Sequence, residues 1–330
     1  MGGDMAGALG AFTGPSEQLT VITWHIHGSY LSYLARCGHD LVVPVLEGRP
    51  PRFGGRPPGA KWPDNIREVP AEELRSLRAD AILYQHEKNW TEDRFRWLSE
   101  TQLASVPQAF LEHDPPLGHP TDTPHAVDDP SVPIVHVTGF NSLMWDCGRS
   151  PCLVIEHGVA VPEDAVWTGE RSRGVAVVNN IATRGRRLGP DVLARVRQTV
   201  PVDLYGMGAE KAGGVGELTN EQVPYEVARY RFFLNPIRYT SLGLAVCEAL
   251  MVGCPVVGLA TTEMPIAVEN ELSGFVHTDP MKLAEYGKQL IDDPALAARL
   301  SAGARQQARV HHGIDRFARD WDVFLRDLTS

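Results

Sequence analysis

The chain has 330 residues, of which 43% are hydrophobic and 22% are charged, and its formal net charge is −10. This length allows two domains of ordinary size, and the composition is typical of a folded globular protein. Because the sequence has no stripe of lysine and arginine, it lacks the charge that a nucleic-acid surface needs. We therefore expect no nucleic-acid partner.

The amino-terminal end and the cysteines bear on the cellular compartment. Residues 1–18 have no basic start and no sustained apolar core, which predicts a flexible tail rather than a signal peptide. Apolar runs stay well short of the ~20 residues that a transmembrane helix requires. The five cysteines are odd in number, and none lies in a Cys-x-x-Cys pair. These features predict a cytoplasmic chain with reduced thiols and no transmembrane segment.

Apolar runs and helical patterns alternate in the first half of the chain. A buried-strand run at 19–26, a helical pattern at 29–40 and a second strand run at 41–46 form a strand-helix-strand unit. Further strands are predicted at 81–85, 107–112, 133–138 and 152–158. We expect a parallel α/β domain at 19–158, followed by a linker at 159–173.

A second alternating series begins near Gly174. The predicted strands lie at 174–180, 202–206, 231–236 and 255–260, and the predicted helices at 189–200, 225–230, 242–253, 281–291, 294–312 and 317–328. The fold class is therefore α/β, with two Rossmann-like, doubly wound domains facing each other across a cleft. The second domain is expected at 174–308, and the carboxy-terminal helix at 309–330 could return to the first domain.

Two long loops stand out between the predicted strands. Residues 48–65 are rich in Pro, Gly and Arg, and residues 113–131 are rich in Pro, Asp and His. Loops of this length inside a compact domain are usually functional or disordered. Both follow the carboxyl ends of strands, where open parallel sheets bind ligands, so we expect them to shape an acceptor pocket.

One carboxylate, Glu248, interrupts the apolar segment 240–258. Taken alone, it could be a structural acid that pairs with an arginine, or a solvated one. A carboxylate facing a crevice would instead suit the vicinal diol of a ribose, because it accepts two parallel hydrogen bonds. Gly243 lies at the start of the same predicted helix, where free backbone N–H groups form an anion site. One helix could thus hold both the diphosphate and the ribose of a sugar nucleotide.

The order of residues in this region resembles the donor signature of retaining GT-B glycosyltransferases of the large family 4 type. The matching positions are Pro236, Gly243, Leu244, Glu248, Ala249, Gly253, Pro255, Val256 and Val257, continued by Pro265, Val268, Glu269 and Gly274. Amino-terminal segments match in the right order at Gly28, Gly38, His39, Phe110–Asp114, His157, Gly158 and Val159, with Glu156 in place of the usual proline. The resemblance covers residues 20–310.

The resemblance implies that the second domain binds a nucleotide sugar. Glu248 would bind the ribose hydroxyls, and the implied donor-binding set is Gly28, Thr240, Ser241, Leu242, Gly243, Leu244 and Glu248. Thr240 stands where the family usually has a glutamate that contacts the donor sugar, and Ser241-Leu242 replaces the usual Gly-Phe. The ribose part of the pattern is thus kept, whereas the sugar-contacting part departs from it.

Three further residues are candidates for the reaction itself. Arg184 and Arg187 replace the usual Arg and Lys that face the diphosphate, and positive charge at the leaving group is what the transfer needs. His113 matches the family's His-Asp pair and would approach the transferred sugar or the acceptor. His27 and Asp114 are the implied acceptor-side residues. For each of these residues the alternative is an ordinary surface or core position.

The implied reaction is transfer of a sugar to a small-molecule or glycan hydroxyl with retention of configuration. No metal and no cofactor are expected, because arginines and helix amides can supply the positive charge. Two other functions stay open: a sugar-nucleotide epimerase, or a degenerate nucleotide-binding partner protein, which Thr240 would favour. A dehydrogenase fits less well, because the first strand precedes His-Ile-His-Gly-Ser-Tyr rather than Gly-x-Gly-x-x-Gly.

Overall fold

The computed structural model describes residues 18–330, so the predicted tail at 1–18 lies almost entirely outside the described residues. Two parallel β-sheets with helices on their faces form the chain. This arrangement confirms the predicted α/β fold class of two doubly wound sheets. Within residues 18–330, no helix is both long and apolar enough to cross a bilayer.

The first sheet has seven parallel strands. They are β1 (Thr20–Thr23), β2 (Asp40–Val45), β3 (Ile66–Pro70), β4 (Ala81–Tyr84), β5 (Gln108–Glu112), β6 (Ile134–His136) and β7 (Cys152–Val154). Their order is β3-β2-β1-β4-β5-β6-β7. The order reverses between β1 and β4, and the loops after these two strands therefore open a crevice at the carboxyl edge of the sheet.

The second sheet has five parallel strands in the order β12-β11-β10-β8-β9. They are β8 (Arg171–Val177), β9 (Val202–Tyr205), β10 (Tyr230–Asn235), β11 (Val256–Leu259) and β12 (Gly274–His277). Here the reversal lies between β8 and β10. The loops after these strands contain both predicted arginines and the start of the predicted donor helix.

Eleven α-helices are present in the described part of the chain. Those of the first half are α1 (Tyr30–Leu34), α2 (Arg94–Trp97), α3 (Glu100–Ser105) and α4 (Gly139–Met144), and those of the second half are α5 (Pro190–Val196), α6 (Val223–Ala228), α7 (Leu244–Val252), α8 (Met264–Ala267), α9 (Pro280–Asp292), α10 (Pro294–His311) and α11 (Ile314–Thr329). Buried aliphatic residues of both sheets pack against these helices.

The last helix, α11, lies against the first sheet. Its apolar face, formed by Phe317, Trp321 and Leu325, is fully buried in one cluster with residues of β1, β2 and α1. The chain reaches this position through a close crossing, because a Cβ on Gly158 would lie 2.2 Å from Phe317 Cβ. The amide of Val159 also donates to the carbonyl of His312 at 3.0 Å. The structure thus ties the end of the chain to the first sheet.

The predicted strands differ from the structure in three places. Neither β3 nor β12 was predicted from the sequence. The strand predicted at 152–158 ends at Val154. Residues 155–158 instead contact the second half of the chain and α11; for example, Arg316 donates to the carbonyl of His157 at 2.8 Å.

Candidate functional site

The two crevices meet where the domains face each other. Tyr33 of α1 donates a hydrogen bond to Glu248 Oε1 of α7 at 2.8 Å. The amide of Phe140 donates to Glu263 Oε2 at 2.8 Å, and the hydroxyl of Tyr239 donates to the carbonyl of Pro116 at 3.1 Å. Each bond joins the first domain to the second. The predicted donor residues therefore lie at an interdomain surface.

Histidine rings form the floor of the site on the first domain. The ring of His27, after β1, lies 4.1 Å from that of His113, after β5, measured between centroids. Tyr30 of α1 packs edge-on against His113 at 4.7 Å. Burial is the main cause that lowers the pKa of both histidines. The charge of His27 lowers the pKa of His113 further, whereas Asp114 raises the pKa of His27 in part. Both imidazoles are therefore expected to be neutral at pH 7.

The hydrogen bonds of Gln85 fix the tautomer of His113. The Gln85 amide nitrogen donates to Thr23 Oγ1 at 2.7 Å and to the carbonyl of Trp24 at 2.9 Å. Its oxygen is therefore free to accept, and it lies 2.9 Å from His113 Nε2. His113 consequently carries its proton on Nε2, which leaves Nδ1 as a hydrogen-bond acceptor. A neutral acceptor of this kind suits a sugar hydroxyl better than it suits acid catalysis.

Asp114 follows His113 in a turn that is held on both sides. Its amide donates to Glu112 Oε1 at 2.9 Å, and its carbonyl accepts from Trp145 Nε1 at 2.8 Å. The carboxylate of Asp114 acts electrostatically on His27 and on Arg184 of the second domain, raising the pKa of each against larger lowering effects. Asp114, His27 and Arg184 are thus brought to the same place from the two domains.

The arginines lie in the loop after β8. Burial and the nearby charge of Arg187 lower the pKa of Arg184. The carbonyl of Arg187 accepts from the amides of Arg238 at 2.8 Å and Tyr239 at 3.4 Å, which holds this loop beside the segment that enters α7. Among residues 18–330, the buried Nη1 of Arg187 has no hydrogen-bond partner. An anion would satisfy this group.

Arg186, the third arginine of this loop, has a different position. It lies 3.5 Å from Asp191 and is 80% exposed. Asp191 also pairs with both terminal nitrogens of Arg238 at 2.6 Å. Arg186 and Arg238 therefore belong to a surface ion-pair network, whereas Arg184 and Arg187 remain the candidates for an anionic ligand.

The residues before α7 divide into buried and open positions. Ser241 and Leu242 are buried, and Leu242 lies against His157 of the first domain. Gly243 caps α7 with extended backbone (φ −67°, ψ 135°), and a Cβ there would meet nothing within 4 Å. Thr240 is half-buried. The open space at Gly243 lies where the first amides of α7 point away from the helix.

The second open glycine is Gly28, at the end of the loop after β1. A Cβ on Gly28 would also meet nothing within 4 Å, and its backbone does not have a positive φ. Packing within the protein therefore does not require a glycine at position 28 or at position 243. Close approach of a ligand remains a reason for glycine at both positions.

Glu248 is the most unusual carboxyl group of the site. It is 8% exposed, and burial raises its pKa to about 7, although the hydrogen bond from Tyr33 lowers the pKa in part. Its oxygen Oε1 is bonded across the domain boundary rather than to an arginine of its own domain. A purely structural acid would be expected to pair with an arginine, whereas Glu248 bonds to the hydroxyl of Tyr33.

Sequence reasoning missed three residues of this site: Tyr33, Gln85 and Glu263. Gln85 ends an apolar strand, and a buried amide at a strand end is a signal that could have been used. Glu263 is not one of the positions that match the donor signature of the family. Tyr33 lies 215 residues from its partner Glu248, so only the packing of the two domains brings them together.

A large cavity lies beside the histidines in the first domain. It has a volume of about 990 Å³ and is lined by His25 and by the loop 49–60. Arg49 pairs with Glu68 at 2.9 Å and Arg52 with Asp93 at 2.9 Å, which fixes the loop. His25 Nδ1 lies 2.8 Å from the carbonyl of Gly55, and its Nε2 lies 3.3 Å from the carbonyl of Gly28. His25 thus connects the cavity with the loop after β1.

Comparisons with known proteins agree with this architecture. Residues 192–293, which include α7, match the family model described as glycosyl transferases group 1. The sucrose-phosphate synthase (tll1590) from Thermosynechococcus elongatus superposes with a TM-score of 0.70 at 14% identity, covering 94% of this chain and 99% of that one. The chain therefore has a GT-B fold, and its residues 192–293 are similar to the group 1 glycosyltransferases.

Two further proteins are similar to this chain. Anabaena Alr3699/HepE, solved in complex with UDP and glucose, superposes with a TM-score of 0.69 at 14% identity, covering 94% of this chain and 100% of that one. D-inositol 3-phosphate glycosyltransferase 1 of Catenulispora acidiphila is 41% identical over 75 residues. That match spans 22% of this chain and only 18% of the relative's length.

Proposed function

We propose that this chain is a glycosyltransferase that moves a sugar from a nucleotide-diphosphate donor to a hydroxyl acceptor. The observation that carries the proposal is the position of Glu248. It is a buried carboxyl at the domain boundary, one to two turns into α7, and the segment that enters this helix is bonded to the carbonyl of Arg187. The group 1 family match over 192–293 and the UDP-bound relative with the same fold support it.

The donor would lie along α7. Its diphosphate would accept from the amides at Gly243 and Leu244 and from Arg184 and Arg187, because helix amino ends and arginines both favour anions. The ribose would donate two hydroxyl hydrogen bonds to Glu248. The hydroxyl of Tyr33 occupies Glu248 Oε1 in this structure, so the donor would displace it.

The acceptor would enter from the first domain. We propose that His113 Nδ1 accepts a hydrogen bond from the transferred sugar, and that His27 and Asp114 border the acceptor hydroxyl. The cavity lined by His25 and loop 49–60 would hold the rest of the acceptor. Its volume of about 990 Å³ admits a mono- or disaccharide-sized molecule or a larger glycan end.

The chemistry would place most of the catalytic effect on the leaving diphosphate. Positive charge from Arg184, Arg187 and the α7 amides stabilises the charge that develops as the glycosidic bond breaks. The acceptor hydroxyl would attack from the face that the diphosphate leaves, and a departing phosphate oxygen would take its proton. Retention of anomeric configuration follows from this geometry.

The first experiment measures nucleotide binding. UDP, GDP and ADP are titrated into the wild-type chain by calorimetry, and one of them should also raise the thermal midpoint by mass action. Glu248→Gln should weaken the preferred nucleotide about 10-fold or more, since a hydrogen bond to a charged group is lost. Glu285→Gln, at an exposed glutamate on α9 of the same domain, is the matched control.

Two glycine variants sharpen this experiment. Gly28→Ala and Gly243→Ala should leave the unfolding free energy nearly unchanged, because a Cβ at either position meets no atom within 4 Å. Both should weaken nucleotide or donor binding if the ligand approaches these backbones closely. Full affinity in both variants, together with full affinity in Glu248→Gln, would contradict the proposed donor site.

The second experiment measures transfer. The chain, its preferred nucleotide sugar and a panel of polyol and glycan acceptors are incubated with and without EDTA, and the anomeric configuration of the product is read by NMR. A retained anomer that still forms in EDTA is expected, because the proposed transfer step itself uses no metal. An inverted product would contradict the mechanism, and conversion of the donor without any acceptor would indicate an epimerase instead.

A further inference from the structure

A second cluster of reactive side chains lies outside the donor site. The potential ligand atoms of His136, Cys147 and Cys152 all lie within 4.8 Å of one another. His136 ends β6, Cys152 begins the adjacent strand β7, and Cys147 lies in the loop between α4 and β7. Neither the donor site nor the acceptor cavity uses any of these three residues. Their convergence beside the last two strands of the first sheet therefore needs another explanation.

The cluster lies on the opposite face of the sheet from His113. Side chains alternate between the two faces of a strand. Phe110 and Glu112 therefore lie on one face of β5. Leu111 lies on the other face, and so does His113, which directly follows the strand. Phe110 packs in the cluster that also contains Cys147, whereas Leu111 packs with α1 and α11. His136 thus lies behind the histidines of the donor site, not among them.

The distances fit a tetrahedral zinc centre. Zinc bonds of about 2.3 Å to sulfur and about 2.0 Å to nitrogen place the ligand atoms roughly 3.5–3.8 Å apart in a tetrahedron. His136 Nε2 lies 3.4 Å from Cys147 Sγ, and the third ligand atom lies within 4.8 Å of both. Small side-chain rotations are sufficient to bring the three atoms onto one ion.

The surroundings of His136 leave it short of ordinary partners. It is fully buried, and in the described chain its Nδ1 has no hydrogen-bond partner. Among residues 18–330, the hydrogen-bond partner of Nε2 is the sulfur of Cys147, which is a weak hydrogen-bond acceptor and donor. A metal ion on Nε2 would replace this weak contact with a strong bond, and the ring proton would then lie on Nδ1. Neutral imidazole and thiolate are the donor types that zinc prefers.

We propose that His136, Cys147 and Cys152 bind one zinc ion, with water in the fourth position. Two thiolates neutralise the charge of the ion, so the site needs no further carboxylate. Cys152 is exposed, which gives the ion an entry path. The ion would fasten the loop before β7 to β6, at the edge of the sheet that carries His113 and Asp114.

The neighbouring hydrogen bonds connect this site with the turn at Asp114. His125 Nε2 lies 3.3 Å from Glu112 Oε2, and the other oxygen of Glu112 accepts from the amide of Asp114. The amide of His125 donates to the carbonyl of Asp146, next to Cys147, at 2.8 Å. Zinc at Cys147 would therefore be a positioning element for the loop 113–131 and would take no part in the transfer step.

The test uses the full chain, purified under a reductant and stripped with a chelator. Zinc should rebind at one ion per chain by elemental analysis, and cobalt should give the intense visible bands of a tetrahedral site with a sulfur-to-cobalt charge-transfer band. Free zinc at a hundredfold above its dissociation constant should raise the thermal midpoint by about 3–5 °C. These readouts do not depend on glycosyltransferase activity.

Variants decide which residues bind the ion. Cys152→Ser, at an exposed position, should weaken or remove the charge-transfer band while the chain stays folded; His136→Asn should also lower zinc affinity. Cys37→Ala, at a buried cysteine outside the cluster, should leave the cobalt spectrum unchanged. A reduced chain that binds neither metal would overturn the proposal. A Cys147–Cys152 disulfide in the same preparation, or an unchanged spectrum in Cys152→Ser, would overturn it too.

Discussion

The buried carboxyl of Glu248 costs stability in its ionised form. Its pKa is about 7 in the folded chain, compared with an ordinary value of 4.5, because burial disfavours the charge more than Tyr33 favours it. The folded state therefore keeps a proton that the unfolded state has released between pH 4.5 and pH 7. The stability that this protonated group contributes is present below pH 4.5 and is lost as the pH rises through 7.

Glu248→Gln should consequently stabilise the chain at high pH. Glutamine cannot ionise, so the variant avoids the cost of a buried charge, which amounts to at most roughly 3 kcal/mol for a shift of this size. Urea unfolding at pH 8 should give a higher midpoint for the variant than for the wild type, and the difference should largely vanish at pH 5. Nucleotide binding should meanwhile be weaker.

The exposed Glu285→Gln should show no such pH-dependent difference in stability. An equal midpoint difference at both pH values would mean that the substitution acts through packing rather than through the charge. A variant that gains stability and loses nucleotide affinity would have the signature of a functional rather than a structural acid.

At the scale of elements, the buried central strands were predictable, whereas two of the four edge strands were not. The central strands β4 and β10 are buried along their whole length, and β1 and β8 each contain a shorter buried segment; the apolar residues of these segments are visible in the sequence. Strand β3 lies at the edge of its sheet, so Arg67 and Pro70 can be exposed and the run is not apolar. Strand β12 is also an edge strand, and it is only four residues long.

Helix α7 was predictable because residues close together in the sequence define where it begins and ends. Gly253 ends it in the left-handed conformation with φ +89°, which is a common way for helices to stop. The helix lies between two apolar strands, and this fixed the position of Glu248 along it. Tyr33 could not be predicted, since its contact depends on how two separately folded sheets come together. The residues that the second domain contributes to the proposed site were thus easier to predict from the sequence than those of the first domain.

The packing of α11 gives a prediction at this scale. Gly158→Ala would place a Cβ 2.2 Å from Phe317 Cβ and 3.2 Å from the carbonyl of Gly313, so α11 would have to move. We expect a loss of about 1–3 kcal/mol in the free energy of unfolding, as is usual for overpacking. Urea unfolding followed by tryptophan fluorescence would measure it.

Gly54→Ala is the matched control for this experiment, because its nearest atoms would be 3.8 Å and 3.9 Å away. Equal unfolding free energies for the two variants would contradict the close crossing of Gly158 and α11.

At the scale of the whole molecule, the contact between the domains and the proposed donor site share one carboxyl group. The hydroxyl of Tyr33 crosses the boundary to Glu248 Oε1, and Leu244 packs into the cores of both domains. A ribose bound at Glu248 would have to replace the tyrosine hydroxyl. Donor binding and the relative position of the domains are therefore expected to be coupled.

Tyr33→Phe should separate these two effects. It removes a group that competes with the ribose, so at pH 8.5 the preferred nucleoside diphosphate should bind about 2- to 10-fold more tightly, the range that one net hydrogen bond allows. Because Tyr33 lowers the pKa of Glu248, the variant should also need a higher pH for full binding. Calorimetric titration across pH 6–9 would measure both changes.

Tyr225→Phe is the control for this titration, since the Tyr225 hydroxyl also donates to a carboxylate, Asp164, at 2.8 Å, but outside the contact between α1 and α7. It should change neither the affinity nor its pH dependence. If Tyr33→Phe binds no more tightly than the wild type and its binding titrates at the same pH, the ribose does not compete for Glu248. The carboxyl would then serve the domain contact alone, because the tyrosine and the donor cannot occupy the same oxygen of Glu248 together.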